Sequence, residues 1–150
     1  MKIRRLFREE IAPMELLLLA DPSTSMVEEY LKRGECYVCE SNEEVVGVYV
    51  LVATSPETVE LANIAVKEEL QGCGLGKRLV INAIETAKIN GYKTIEVGTG
   101  NSSISQLALY QKCGFRITCV HKDFFTEHYP EEIYENGIQC RDMIRLTQDL

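Results

Sequence analysis

Glu60-Leu-Ala-Asn-Ile-Ala-Val-Lys-Glu-Glu-Leu-Gln-Gly-Cys-Gly-Leu-Gly-Lys-Arg78 is the stretch on which the reading of this chain turns. It opens within an expected strand, Val59 to Val66, marked by β-branched Val59, Ile64 and Val66. A charged turn, Lys67-Glu68-Glu69, follows, and then Gly72, Gly74 and Gly76 lead into a helical pattern. Leu75, Leu79, Ala83 and Ala87 recur every fourth residue, and Val80 and Ile84 widen the apolar stripe. The glycines therefore fall where a strand passes into a helix. There the first backbone N–H groups have no intrahelical acceptor, and the helix dipole adds partial positive charge. Glycine lets such a backbone approach a ligand closely and adopt positive φ. Without a ligand, three glycines would only weaken the helix start, by about 1 kcal/mol each. The pattern points to a main-chain cradle for a phosphate or pyrophosphate.

Two common cradles are excluded by spacing. A P-loop needs Gly where Gln71 stands and Ser or Thr where Arg78 stands. The dinucleotide fingerprint needs its third glycine at Lys77 or Leu79. What remains is Gln71-x-x-Gly74-x-Gly76 after Asn63-Ile-Ala-Val66, and downstream Leu109-Tyr-Gln-Lys-Cys-Gly-Phe115. Together these resemble the acetyl-CoA signature and the core-closing element of the GNAT family of N-acetyltransferases, in the family's order and spacing from Val59 to Phe115. The resemblance implies a single N-acetyltransferase domain over residues 1–150 with the GNAT (acyl-CoA N-acyltransferase) fold, an α/β arrangement with a mixed central β-sheet flanked by helices.

The resemblance also implies roles. The backbone of Ile64, Ala65 and Val66 pairs with the pantetheine arm as if it were an added strand. The N–H groups of Gln71, Gly72, Cys73, Gly74, Leu75, Gly76 and Lys77 hold the pyrophosphate. Asn101, or Ser103 in its place, contacts the pantetheine or its neighbouring backbone. Tyr110 sits by the sulfur and protonates the departing thiolate. Its alternative is a core aromatic on a helix face. Acyl transfer to an amine also needs a route for the amine proton. Glu60 and Glu96 are the candidate bases, and each could equally be a solvated strand-end carboxylate. Asn63 could orient a water or satisfy its own backbone. The expected activity is transfer from acetyl-CoA to a primary amine, of a small molecule or of a peptide amino terminus such as that of a ribosomal protein. A CoA-holding module without turnover is the non-enzymatic alternative. The final strand often serves dimerisation in this family, so a homodimer is an expected partner state.

Composition sets limits. The chain of 150 residues is 45% hydrophobic and 26% charged, an ordinary balance for one globular domain. A net charge of −7 argues against nucleic acid as a partner. No apolar run approaches the ~20 residues of a membrane span. The basic Met1–Arg8 segment lacks a signal-peptide core, which places the expected compartment in the cytoplasm. Of six cysteines, only Cys36 and Cys39 are close. They lie in an expected strand, where residues three apart face opposite ways, so no metal is expected there, and all six cysteines read as free thiols filling apolar space.

The remaining pattern is α/β. Strands are expected over Lys2–Phe7, Cys36–Glu40, Val45–Ala53, Tyr92–Val97 and Phe115–Val120, and one long strand over Ile138–Leu146. Helices are expected over Ile11–Ala20, from a Thr24 or Ser25 cap to Arg33, and over Ser102–Cys113 with Ile104, Leu107, Ala108 and Lys112 on successive turns. The first two helices and the His121–Asn136 connection should carry acceptor specificity. Gly47, inside a strand, marks a bulge or a close backbone approach.

Overall fold

A computed structural model describes Met1–Leu150. Its strands are β1 (Lys2–Arg5), β2 (Glu35–Ser41), β3 (Glu44–Ala53), β4 (Thr58–Val66), β5 (Thr94–Gly100), β6 (Arg116–His121), β7 (Tyr134–Glu135), β8 (Ile138–Gln139) and β9 (Met143–Asp149). Its helices are α1 (Met14–Ala20), α2 (Thr24–Arg33), α3 (Leu75–Ile89), α4 (Ile104–Lys112) and α5 (Phe124–His128). Seven strands form one sheet in the order β1-β2-β3-β4-β5-β9-β6, while β7 and β8 make a separate hairpin. Only β4 and β5 run parallel. The expected mixed sheet of an α/β domain is present.

Two apolar layers cover the sheet. On one face, Leu75, Leu79, Val80, Ala83, Ile84 and Ala87 of α3 pack with Val59, Leu61, Ile95, Val97 and Leu146. This is the stripe read from the sequence. On the other face, Leu16 and Leu17 of α1 and Val27 and Tyr30 of α2 pack on Val38, Val48, Val50 and Val52. Gly47 lies where α3 crosses β3. A Cβ there would meet Leu79 Cδ1 at 2.9 Å, so glycine is what lets the helix sit on the strand backbone. The ladder between β2 and β3 also shifts register beside it.

The decisive irregularity is in β4. Val50 pairs with Asn63, but Leu51 pairs with Leu61, leaving Ala62 without a counterpart. This bulge resets the side-chain alternation. Leu61 and Ile64 face the α3 layer, whereas Asn63 turns to α1 and α2, donating to Leu17 O at 3.0 Å and Tyr30 Oη at 2.6 Å. At the same place β4 and β5 part. Their pairing ends at Leu61 opposite Val97, after which β5 stays with β9 alone.

Several expectations change. The cap of α2 is Ser23, whose Oγ accepts from Met26 N–H at 3.3 Å, rather than Thr24 or Ser25. The long final strand is broken at Cys140-Arg141-Asp142 into β8 and β9, because Asn101 takes the 141 and 142 N–H groups that a ladder would have used. β9 lies between β5 and β6, so the sheet's two edges are β1 and β6 and the final strand is internal. In α4, Ile104 and Ala108 are exposed and Tyr110 is the buried residue, since the helix lies against the sheet through its second half. No helix is long and apolar enough to cross a membrane.

The cysteines are all free. Cys39 belongs to the α3 layer and Cys36 packs against the α1–α2 layer, so the pair faces opposite ways. Cys73 and Cys119 are exposed, contrary to their expected role as apolar filling. Burial pushes the Cys36 thiol up to about 12, which keeps it protonated and slow to alkylate. Iodoacetamide should therefore modify Cys73 and Cys119 first in the native protein, and all six thiols only after unfolding without reductant. Intact mass spectrometry reads both results; joint protection of Cys36 and Cys39 in the unfolded chain would contradict them.

Candidate active site

The glycine loop provides the first half of the site. Val66 ends β4, a single 3₁₀ turn covers Glu68–Leu70, and Gly74 caps α3 with φ +87°. Gly72 has φ +81°, and a Cβ at either glycine would meet nothing within 4 Å. Their requirement is thus one of backbone conformation and not of space inside the protein. The N–H of Gln71 is used by Glu68 O and that of Arg78 by Gly74 O, but none from Gly72 to Lys77 has an acceptor in the protein. Main-chain donors in sequence stand at the positive end of a fifteen-residue helix, an arrangement suited to an anion. The Gln71 side chain donates back to Val66 O at 3.0 Å and ties the loop to the strand end. Leu75 contributes only its backbone here, its side chain being core. Cys73 is exposed, with Sγ against Leu70 O.

A cavity of about 260 Å³ runs from this loop along the open edge of β4, lined by Ile64, Ala65, Val66, Gln71, Gly72 and Gly76 on one side and Ser105, Gln106 and Leu109 of α4 on the other. It joins a larger cavity of about 480 Å³ through shared Leu19, Ala20, Ile64 and Gln106. The larger space occupies the gap where β4 and β5 part, and is closed by Phe125, Tyr129, Ile133 and Glu135 from the 124–135 segment. The structure thus brings Ile64, Ala65, Val66, Gln71, Gly72 and Gly76 of the predicted set together on the smaller of two adjoining cavities, whereas Cys73, Gly74, Leu75 and Lys77 line neither.

Tyr110 lines the larger cavity and is 4% exposed. Its ring meets Phe115 edge-on at 5.8 Å. Its hydroxyl has no hydrogen-bond partner in the protein, and burial raises its pKa well above the ordinary phenol, with Cys113 adding to the shift. It is therefore a protonated donor at neutral pH, facing the groove. Ser103 lines the same cavity and donates to Glu135 Oε1 at 2.8 Å.

Asn101 has a different job from the expected pantetheine contact. Its Oδ1 accepts from Arg141 N at 2.8 Å and Asp142 N at 3.0 Å, and its Nδ2 donates to Gln139 O at 3.1 Å. Both acceptor positions of Oδ1 and one of the two Nδ2 N–H groups are used in clamping the β8–β9 strap to the end of β5, and Asn101 lines neither cavity.

Glu60 and Glu96 sit side by side on the parallel pair, in register. Arg145 of β9 bridges them, reaching Glu60 at 3.0 Å and Glu96 at 3.1 Å. Neither carboxylate lines a cavity; they lie one residue below its walls at Leu61 and Val97. Sequence reading missed Arg145, and it missed Asp21, Gln106 and Glu135 on the cavity wall. Asp21 stood in a helix-breaking Asp-Pro-Ser and Glu135 in a loop whose only signal was its acidic, aromatic composition.

The family model described as the acetyltransferase (GNAT) family matches residues 3–115. This chain belongs to the GNAT family. It is 65% identical over 136 residues to an uncharacterised N-acetyltransferase of Bacillus subtilis, YvbK, spanning 91% of this chain and 88% of that protein. Among solved structures, an IAA acetyltransferase from Bacillus cereus has a TM-score of 0.96 at 58% identity over 99% of both chains. A GNAT acetyltransferase from Elizabethkingia anophelis with acetyl-CoA bound has a TM-score of 0.97 at 49% identity, covering 99% of this chain and 97% of that one. A Bacillus subtilis acetyltransferase in complex with CoA has a TM-score of 0.93 at 61% identity over 99% of both chains.

In this GNAT chain the Glu60–Arg145–Glu96 triad fastens the floor of the gap. The guanidinium separates two carboxylates that would otherwise face each other across neighbouring strands. Arg145→Met should lower stability by about 1–3 kcal/mol, discounted for the partial exposure of all three groups. Adding Glu60→Gln and Glu96→Gln should return most of it. Urea midpoints of the single and triple variants check this, and an unchanged midpoint for Arg145→Met would contradict it.

Proposed function

We propose that this protein transfers the acetyl group of acetyl-CoA to the primary amine of a small molecule, with Tyr110 as the acid that protonates the leaving thiolate. The observation that carries this reading is the continuity of the groove. Unpaired donors stand at its glycine end, an unpaired strand edge runs along its middle, and a buried, protonated phenol opens into its far cavity. The acetyl-CoA and CoA complexes of the relatives support the same assignment of the co-substrate.

The residues present fit that co-substrate. The N–H groups of Gly72 to Lys77 would hold the pyrophosphate, and the open edge of β4 from Ala62 to Val66 would pair with the amides of the pantetheine arm. This directs the thioester into the gap between β4 and β5, beside Tyr110. The acceptor ammonium first gives one proton to solvent, the free amine nitrogen attacks the thioester carbonyl, the carbon–sulfur bond breaks, and the nitrogen releases its second proton. Tyr110 Oη gives its proton to the thiolate and recovers one from solvent, leaving an acetamide and CoA thiol. Glu60 and Glu96 act on the amine proton through water, as a relay below the cavity floor, because they do not reach the cavity themselves. A cavity walled by α5 and the β7 segment suits a compact acceptor better than a peptide laid across an open groove.

Two variants check the assignment. Gly74→Asp places both a strained side chain at positive φ and a negative charge in the cradle, so calorimetry should show acetyl-CoA binding abolished. Tyr110→Phe keeps the ring and its contact with Phe115. Acetyl-CoA affinity should survive, while kcat falls by ~100-fold or more and KM changes little, since thiolate charge develops only in the transition state. Wild-type kcat in the Phe variant would make Tyr110 a packing residue.

A further inference from the structure

The larger cavity has a charge pattern that the proposed reaction alone does not require. Its wall carries two carboxylates, Asp21 and Glu135, and no lysine, arginine or histidine. The nearest guanidinium, Arg145 under Gly98, is already matched by Glu60 and Glu96, so it supplies no net positive charge. Asp21 is held in place by Tyr129 Oη, which donates to Oδ1 at 2.8 Å, and by the Ser23 N–H at 3.1 Å. Glu135 stands at the exposed rim, oriented by the Ser103 hydroxyl.

The second observation is independent of these charges. Asn63, 4% exposed, lines the cavity with its Oδ1 buried and unpaired. The orientation of that amide is fixed, because its other terminus meets Leu17 O, which can only accept. The Oε1 of Gln106, at the junction with the CoA groove, is also buried and unpaired. The unpaired atom whose identity is fixed, Asn63 Oδ1, is thus an acceptor, and the unbonded Gln106 carboxamide can present its oxygen the same way. Such atoms are costly unless a ligand brings donors. The C-terminal, negative end of α1 points the same way.

Resting on the acetyltransferase reading above, we infer that the acceptor is a dicationic amine, a straight-chain diamine or polyamine without a carboxylate. Its inner nitrogen lies among Asn63, Gln106 and Asp21, and its second ammonium reaches Glu135 at the rim. An ammonium has three donors and no acceptor, which matches the unpaired oxygens. A carboxylate at the far end would face Glu135 with no cation to receive it. A methyl there would leave Glu135 unused.

Three amines with the same aminopentyl chain separate these cases: 1,5-diaminopentane, n-hexylamine and 6-aminohexanoate, ending in an ammonium, a methyl and a carboxylate. With acetyl-CoA and wild-type protein, kcat/KM should be about tenfold or more higher for the diamine than for hexylamine, and lowest for 6-aminohexanoate. Glu135→Lys should shift the ratio of 6-aminohexanoate to diamine upward by about tenfold or more, with acetyl-CoA affinity unchanged. Equal turnover of hexylamine and the diamine, or a ratio unmoved by Glu135→Lys, would overturn the inference and leave the acetyltransferase reading standing. If none of the three is acetylated, calorimetry on the CoA-saturated protein decides. Preferential binding of the diamine supports the dication subsite and counts against turnover as its purpose, whereas no preference overturns the subsite.

Discussion

The structure depends on the parting of two parallel strands. β4 and β5 share hydrogen bonds only as far as Leu61 and Val97, and the bulge at Ala62 falls just where they separate. A sheet that stayed paired there would have no slot, no free strand edge and no cavity. The bulge also turns Asn63 from the α3 layer to the α1–α2 layer, where it ties Leu17 and Tyr30 to the sheet beside the gap. One extra residue thus opens the ligand slot and anchors the helices that wall it.

Other elements hold the parted strands in place. β9 pairs along the whole of β5 and carries Arg145, which pins Glu60 to Glu96 one pair before β4 and β5 part. Asn101 clamps the chain that enters β9, so the far side of the gap is as fixed as the near side. α3 packs on β3 through Gly47 and aims its unpaired N–H groups at the mouth of the slot. Rigid strands therefore present the groove, while the 124–135 segment, more exposed and more irregular, closes its far end, where the proposed acceptor would enter. That division matches a fixed co-substrate and an acceptor chosen by its wall.

Much of this was legible in the sequence because it is local. The strand, the glycine loop and the stripe from Leu75 to Ala87 follow from periodicity and spacing within a few turns, and Tyr110 is singled out by the resemblance of Leu109–Phe115 to the family's element. What escaped depends on residues far apart in the chain. Arg145 lies 85 residues from Glu60, and no pattern near either carboxylate signals a guanidinium between them. Asn101 sits in a Gly-rich turn where a ligand contact and a backbone clamp look alike. α4 is amphipathic in an unusual sense, with Ile104 exposed at its start and Tyr110 buried near its end, so a simple apolar stripe misplaced its inner face. The cavity acids Asp21 and Glu135 come from a helix break and a two-stranded hairpin, segments whose sequence specifies turns and not targets.

The central claim is that main-chain donors of the glycine loop and the free edge of β4 together hold acetyl-CoA. Amide resonances of ¹⁵N-labelled protein, followed as acetyl-CoA is added, test it most directly. The account predicts that the largest shifts and the greatest gain in hydrogen-exchange protection fall on Gly72 to Lys77 and on Ala62 to Val66, with the side-chain amide of Asn101 unchanged. Perturbation centred on the Asn101 clamp, with the amides of Gly72 to Lys77 unmoved at saturation, would contradict it.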